Sequence, residues 1–137
     1  MNTYPQETQV SYIEHNYSEN IGFQTNGLLI YNNKGKVYVI IHHEYITTAY
    51  AVFDFEKREL EYSTFTCNTF QEGIGSIRDT AEMEELLGQP NTDIGSGMYL
   101  PTYVFTNGDI IVFRVYNGKA SYKYLTNVFD MASNMHQ

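Results

Sequence analysis

Residues 103–125 read Tyr103-Val104-Phe105-Thr106-Asn107-Gly108-Asp109-Ile110-Ile111-Val112-Phe113-Arg114-Val115-Tyr116-Asn117-Gly118-Lys119-Ala120-Ser121-Tyr122-Lys123-Tyr124-Leu125. Two Asn-Gly pairs interrupt an apolar and aromatic run. Such a pair is the strongest short hairpin signal, because both residues tolerate the positive φ of a tight turn. Three antiparallel strands are therefore expected. Two-residue turns would set Phe105 opposite Ile110, Val104 opposite Ile111, Val115 opposite Ala120, Phe113 opposite Tyr122 and Ile111 opposite Tyr124. Since side chains alternate along a strand, Val104, Ile111, Phe113, Val115, Ala120, Tyr122 and Tyr124 form a mainly apolar side that a helix would cover. Tyr103, Phe105, Ile110, Val112, Arg114, Tyr116, Ser121, Lys123 and Leu125 form the other, where aromatic, aliphatic and basic groups mix.

Upstream, the segment from Asp79 to Pro90 predicts a helix with marked ends. Asp79 is placed to accept from the free amides of the first turn, and Glu82 to return the bond. Gly88 supplies a left-handed stop and Pro90 blocks continuation. Met83, Leu86 and Leu87 make one narrow apolar stripe, with Glu82, Glu84 and Glu85 toward water. Beyond the meander, Val128, Met131, Ala132 and Met135 have the spacing of a short closing helix.

The amino-terminal half has a different grammar. Leu28–Tyr31, Lys36–His42, Tyr45–Phe55 and Leu60–Thr66 read as strands, divided by Asn32-Asn33-Lys34-Gly35 and Glu56-Lys57-Arg58-Glu59. Ala49, Ala51, Phe53 and Phe55 share one face, which is apolar and should be buried. Residues 1–26 are weakly patterned, with Val10–Ile13 as the one short strand candidate, so an arm is expected there. The grammar changes at 68–76, between a meander over 27–67 and the helix-plus-meander unit over 76–125. The expected fold is α+β: antiparallel meanders, one main helix on the sheet and a short terminal helix.

Composition limits the rest. The 137 residues suit a single domain, and the net charge of −8 leaves no basic stripe for a phosphate backbone, so nucleic acid is not an expected partner. The amino terminus lacks the basic and apolar regions of a signal peptide, and the longest apolar run, Val37–Ile41, is too short to span a bilayer. With one cysteine, Cys67, read as a small buried hydrophobe, the expectation is a soluble cytoplasmic protein away from membranes.

The unit over about Ser76 to Leu125 resembles the fold shared by the beta-lactamase inhibitor protein and the outer-membrane lipoprotein BamE. The likeness lies in a capped helix ending Leu86-Leu87-Gly88-Gln89-Pro90, then a loop and a three-stranded meander with Asn-Gly turns. Ile77-Arg78-Asp79 stands where that fold usually carries Gly-small-Thr/Ser, and its disulfides are absent. The resemblance implies a scaffold that presents one sheet face to a partner protein.

No catalytic signature stands out, and no cofactor is expected. His42-His43-Glu44 is the one local cluster with acid–base or ligating groups, and strand alternation would put His42 and Glu44 on one side. A metal would need a further ligand from His15 or His136, so no metal site is expected. Gly73-Ile74-Gly75-Ser76 lacks the Lys-Ser/Thr of a phosphate loop, and Asp79 beyond it repels anions. Cys67 has no neighbouring cation to activate it. The carboxylates at Asp54, Glu56, Glu59 and Glu61 and along the helix are read as solvated faces.

The leading expectation is a non-enzymatic binding protein, an inhibitor or neutraliser of another protein of the immunity, antitoxin or phage anti-defence kind. Its partner-binding patch would be Tyr103, Phe105, Arg114, Tyr116 and Lys123, because exposed tyrosine and arginine anchor interfaces. The amino-terminal meander packing on that face would instead make the same residues core. The alternatives are a small-molecule binder or enzyme with His42 and Glu44 as polar contacts in a pocket between the halves, and an envelope assembly protein lacking its leader. Open edge strands would also allow a homodimer.

Overall fold

Both Asn-Gly pairs close hairpins in the computed structural model, which describes residues 4–133, but they close them in different ways. Asn117 (φ +51°) and Gly118 (φ +75°) make a two-residue turn between β8 (Asp109–Tyr116) and β9 (Lys119–Asn127). Val115, Phe113 and Ile111 face Ala120, Tyr122 and Tyr124, as expected. At the first pair only Gly108 has positive φ (+91°). The Phe105 amide donates to the Asp109 carbonyl (2.9 Å) and the Gly108 amide to the Phe105 carbonyl (2.9 Å). Three residues, Thr106, Asn107 and Gly108, therefore occupy the loop, and the Asn107 Oδ1 accepts from the Asp109 amide (3.0 Å). Val104 then faces Ile110 and Tyr103 faces Ile111, one residue away from the expected register. A slip of one residue turns every side chain of a strand to the other face. β7 (Pro101–Val104) thus turns Tyr103 toward the helix α2 (Thr80–Leu87), and Phe105 follows it, while Val104 turns away.

Two antiparallel sheets result. The first has the order β1 (Ile21–Thr25), β2 (Leu28–Asn33), β3 (Lys36–His43), β4 (Ile46–Asp54), β5 (Glu59–Ser63); the second runs β6 (Thr92–Asp93), β7, β8, β9. They share a core: Leu28, Ile30, Val37, Val39, Ala51 and Phe53 of the first meet Val104 and Ile110 of the second, with Val128, Phe129 and Ala132 of α3 (Val128–Ser133). Ala49 and Phe55 pack at its margin, so the expected apolar face of β4 is buried. Met135, counted in the expected terminal helix, and His136 lie outside the described residues. Asn26-Gly27 ties the sheets together. The Thr92 hydroxyl donates to the Gly27 carbonyl (3.1 Å), and a Cβ at Gly27 would stand 2.6 Å from the Asp93 carbonyl oxygen.

Each sheet buries its outer face under a helix. On the second sheet α2 (Thr80–Leu87) lays Met83 and Leu87 on Tyr103, Phe105, Ile111 and Phe113. Asp79 caps it by accepting from the Glu82 amide (2.9 Å), but Glu82 answers to the amide of Arg78, one residue outside the expected capping box (2.8 Å). On the first sheet the cover is α1 (Val10–Asn16), which corrects the expectation of a strand at Val10–Ile13. Val10 and Ile13, three residues apart with Tyr17 four further on, pack on Leu29, Tyr31 and Ile40, a helical spacing. The expected arm is thus packed structure, with β1 as a strand that Asn26-Gly27 signals in the sequence. The segment after β5 is held against the second sheet: Asn68 bridges Phe105 in parallel, and its side-chain amide donates to the Leu87 carbonyl (3.0 Å).

Candidate binding surfaces

The outward face of the β8–β9 hairpin is where the expected partner patch divides. Along β8 the residues facing the first sheet are Ile110 and Val112, both buried, and then Arg114 and Tyr116, both exposed. The first sheet covers the base of the hairpin and the tip extends past it. The face is thus buried at its base and exposed toward its tip. Arg114, Tyr116 (74% exposed) and Lys123 remain at the surface, joined by Lys119, whose place in the patch strand alternation also allowed. Tyr103 and Phe105 do not join them. They are buried by the register slip, and the Tyr103 hydroxyl donates to the Gly88 carbonyl at the end of α2 (2.7 Å), so this side chain braces a helix end.

The hairpin is also electrostatically distinct. No Asp or Glu lies between Asp109 and Asp130, whereas Arg114, Lys119 and Lys123 all do, in a chain of net charge −8. Arg114, Lys119 and Lys123 form no ion pair among the described residues, unlike Lys36, Arg58 and Arg78, which meet Asp54 and Glu61, Asp130, and Glu82. The carboxylate that backbone pairing brings nearest, Asp79 opposite Lys119, is occupied in capping α2. A shallow groove of about 510 Å³ runs along the tip between Arg114, Tyr116, Lys119 and Ser121.

A second concavity, of about 230 Å³, lies on the opposite face of the hairpin, beneath the 70–75 segment. Its wall includes Phe70, Phe105, Ile111, Tyr122 and Tyr124, with Asp109 as the one carboxylate. Phe70 is 70% exposed, and Tyr122 and Tyr124 are about half exposed. The Tyr124 hydroxyl donates to Asp109 Oδ1 (3.3 Å); burial, the Asp109 charge and that hydrogen bond push its phenol up to about 12. Sequence reading assigned Tyr122 and Tyr124 to the side under the helix and left out Phe70. The pocket depends on a long-range approach of the 70–75 segment that no local pattern encodes.

His42 and Glu44 come together, though not on one strand. β3 ends at His43, and Glu44 (φ +51°) and Tyr45 (φ +70°) form a tight turn in the left-handed region, without glycine. His42 and Glu44 border a polar cavity of about 270 Å³ with Gln24, Thr25, Asn26 and Tyr45. All six belong to the first sheet and its turns, which corrects the expectation of a pocket between the halves. The His42 ring lies 6.0 Å from Tyr45, nearly parallel at 18°. Both its nitrogens are sealed from solvent and have no hydrogen-bond partner among the described residues. The Thr25 and Leu28 carbonyls lie near enough to favour the charged form, but desolvation outweighs them and holds the imidazole below its ordinary pKa.

Among the described residues no three of His, Cys, Asp and Glu gather where they would hold a metal, and no helix is long and apolar enough to cross a membrane. Cys67 is half-buried at the edge of the shared core, and burial raises its thiol pKa. Gly73-Ile74-Gly75-Ser76 forms one turn of 3-10 helix entered through Gly73 (φ +97°). No family model, curated protein or solved structure matches the chain.

Proposed function

We propose that the chain is a non-enzymatic protein-binding module, an intracellular inhibitor or neutraliser of another protein, and that it engages an acidic surface of that partner through the tip of the β8–β9 hairpin. The observation that carries this reading is the group Arg114, Tyr116, Lys119 and Lys123: three cations that form no ion pair among the described residues, around an exposed tyrosine, on a hairpin that extends past its own core. Arginine and tyrosine anchor interfaces because they combine a large contact area with directed polar groups. The sign contrast with the rest of the chain orients an acidic partner toward the tip before contact.

The test is capture from a lysate of the native host, comparing the wild type with Tyr116→Ala and with the double variant Arg114→Glu, Lys123→Glu. All three positions are exposed, so folding should be unchanged. The expected result is a stoichiometric protein retained by the wild type, weakened at least about tenfold by Tyr116→Ala and lost from the double variant. Equal retention by all three, with unchanged melting temperatures, overturns the reading.

A further inference from the structure

The pocket beneath the 70–75 segment lies on the other face of the hairpin from the basic tip and carries the opposite charge. Among the described residues four aromatic side chains line it, Phe70, Phe105, Tyr122 and Tyr124, together with Ile111 and Gln71, and the one carboxylate is Asp109. Asp109 is only partly exposed and forms no ion pair among the described residues. It is held instead by neutral donors: the Asn127 side-chain amide (2.9 Å) and the Tyr124 hydroxyl (3.3 Å) on Oδ1, and the Asn107 side-chain amide (3.1 Å) on Oδ2. These bonds orient the carboxylate and come from neutral groups, so none of them pairs its charge. The pocket therefore presents a fixed negative charge among aromatic rings and lacks a countercharge of its own.

That combination selects among cations. An unmodified ammonium or a guanidinium loses water that bonds to each of its N–H groups, and needs acceptors in exchange. Asp109 already accepts three hydrogen bonds, and the remaining wall is mainly aromatic and aliphatic, with Gln71, whose side-chain amide donates to the Leu86 carbonyl (3.1 Å), as its polar side chain besides the tyrosine hydroxyls. A fully methylated ammonium has no N–H to satisfy, and its diffuse charge is attracted both to the ring faces and to a nearby carboxylate. The geometry points to a binding site for a quaternary methylammonium group, with Phe70, Phe105, Tyr122 and Tyr124 as the aromatic wall and Asp109 as the countercharge. The site stands apart from the basic tip, and neither reading depends on the other.

The experiment is an NMR titration of the full chain with choline, followed at the amides of Phe70, Tyr122 and Tyr124. Its neutral carbon isostere, 3,3-dimethyl-1-butanol, and methylamine serve as comparisons. Choline is expected to saturate these shifts and to bind at least about tenfold more tightly than either comparison. Phe70→Ala, at an exposed position that the core does not need, is expected to weaken choline several-fold, and Asp109→Asn to remove its advantage over the isostere. A peptide bearing one trimethyl-lysine separates the two sources of the group. Tighter binding than choline assigns the site to a methylated side chain, and weaker binding assigns it to a free choline-like compound. Absence of saturation, equal affinity for choline and the isostere, equal affinity for choline and methylamine, or unchanged choline binding in Phe70→Ala overturns the proposal. Phe70→Ala keeps the test decisive should Asp109→Asn fail to fold.

Discussion

At the scale of single residues, His42 is the place where burial and titration conflict. The residue is 7% exposed, both ring nitrogens lack hydrogen-bond partners among the described residues, and desolvation lowers its pKa from the ordinary 6.5 despite the nearby carbonyls of Thr25 and Leu28 and the charge of Glu14 on α1. An unfolded chain protonates this imidazole as the pH falls through 6.5, whereas the folded chain resists until the pH reaches its lower folded value. The unfolded state therefore binds more protons over that interval. Stability contributed by the neutral ring is complete above 6.5 and is lost progressively as the pH drops toward the folded pKa, at about 1.4 kcal/mol for each pH unit separating the two values. His42→Phe keeps a planar ring and removes the titration. Urea midpoints measured from pH 7.5 to pH 5 should fall more steeply for the wild type than for this variant. Parallel curves would mean that the folded ring takes up its proton as readily as the unfolded one. The same burial also makes direct contact of a ligand with the ring nitrogens dependent on movement of the turn at Glu44 and Tyr45, the two positive-φ residues beside it.

At the scale of elements, the two Asn-Gly turns show how much a local motif determines and where tertiary packing takes over. Gly118 has φ +75° with nothing within 4 Å of an added Cβ, so Gly118→Ala should cost only the left-handed conformation, about 1 kcal/mol. Gly108 has φ +91° and an added Cβ would meet the Phe129 ring at 2.9 Å, so Gly108→Ala adds overpacking and should cost about 2 to 4 kcal/mol. Thermal denaturation of the pair checks the difference, and equal losses would show that Phe129 yields to the methyl group. The Asn-Gly signal placed both hairpins correctly in the sequence, and the second register was legible to the residue. The first was not, because Asn107 supports either a two-residue turn or a three-residue loop, and α3 docking onto Gly108 accompanies the longer one. That single residue decides whether Tyr103 and Phe105 are surface or core. α2 was legible from its cap and stop. α1 was missed because four residues, Val10–Ile13, suit either period; the cue lay in Tyr17, farther along the same face. Arg114, Tyr116 and Lys123 were legible because alternation within one hairpin places them together, whereas the aromatic pocket joins Phe70 to Tyr122 across a fold contact.

At the scale of the whole molecule, the two sheets depend on each other through what lies between them. Neither half buries its inner face alone: Leu28, Val39 and Phe53 of the first sheet find their cover in Val104, Ile110 and α3. Phe129 is the joint of this arrangement. Its ring meets Phe53 edge-on at 5.7 Å, stands against Gly108 of the second sheet, and lies under the Arg58 guanidinium at 4.9 Å. Truncating it removes a 2%-exposed aromatic from both sheets at once, so Phe129→Ala should cost about 3 to 5 kcal/mol. The distribution of that loss tests the architecture more sharply than its size. If the sheets form one cooperative unit, native-state amide exchange should show the same fall in protection at Val39, in the first sheet, and at Phe113, in the second. A fall confined to Phe113 would mean that the first sheet, closed on its outer face by α1, retains its structure without the second. The β8–β9 hairpin would then be carried by a separately unfolding half, and its tip and its aromatic pocket would be lost together under conditions that leave β1 to β5 intact.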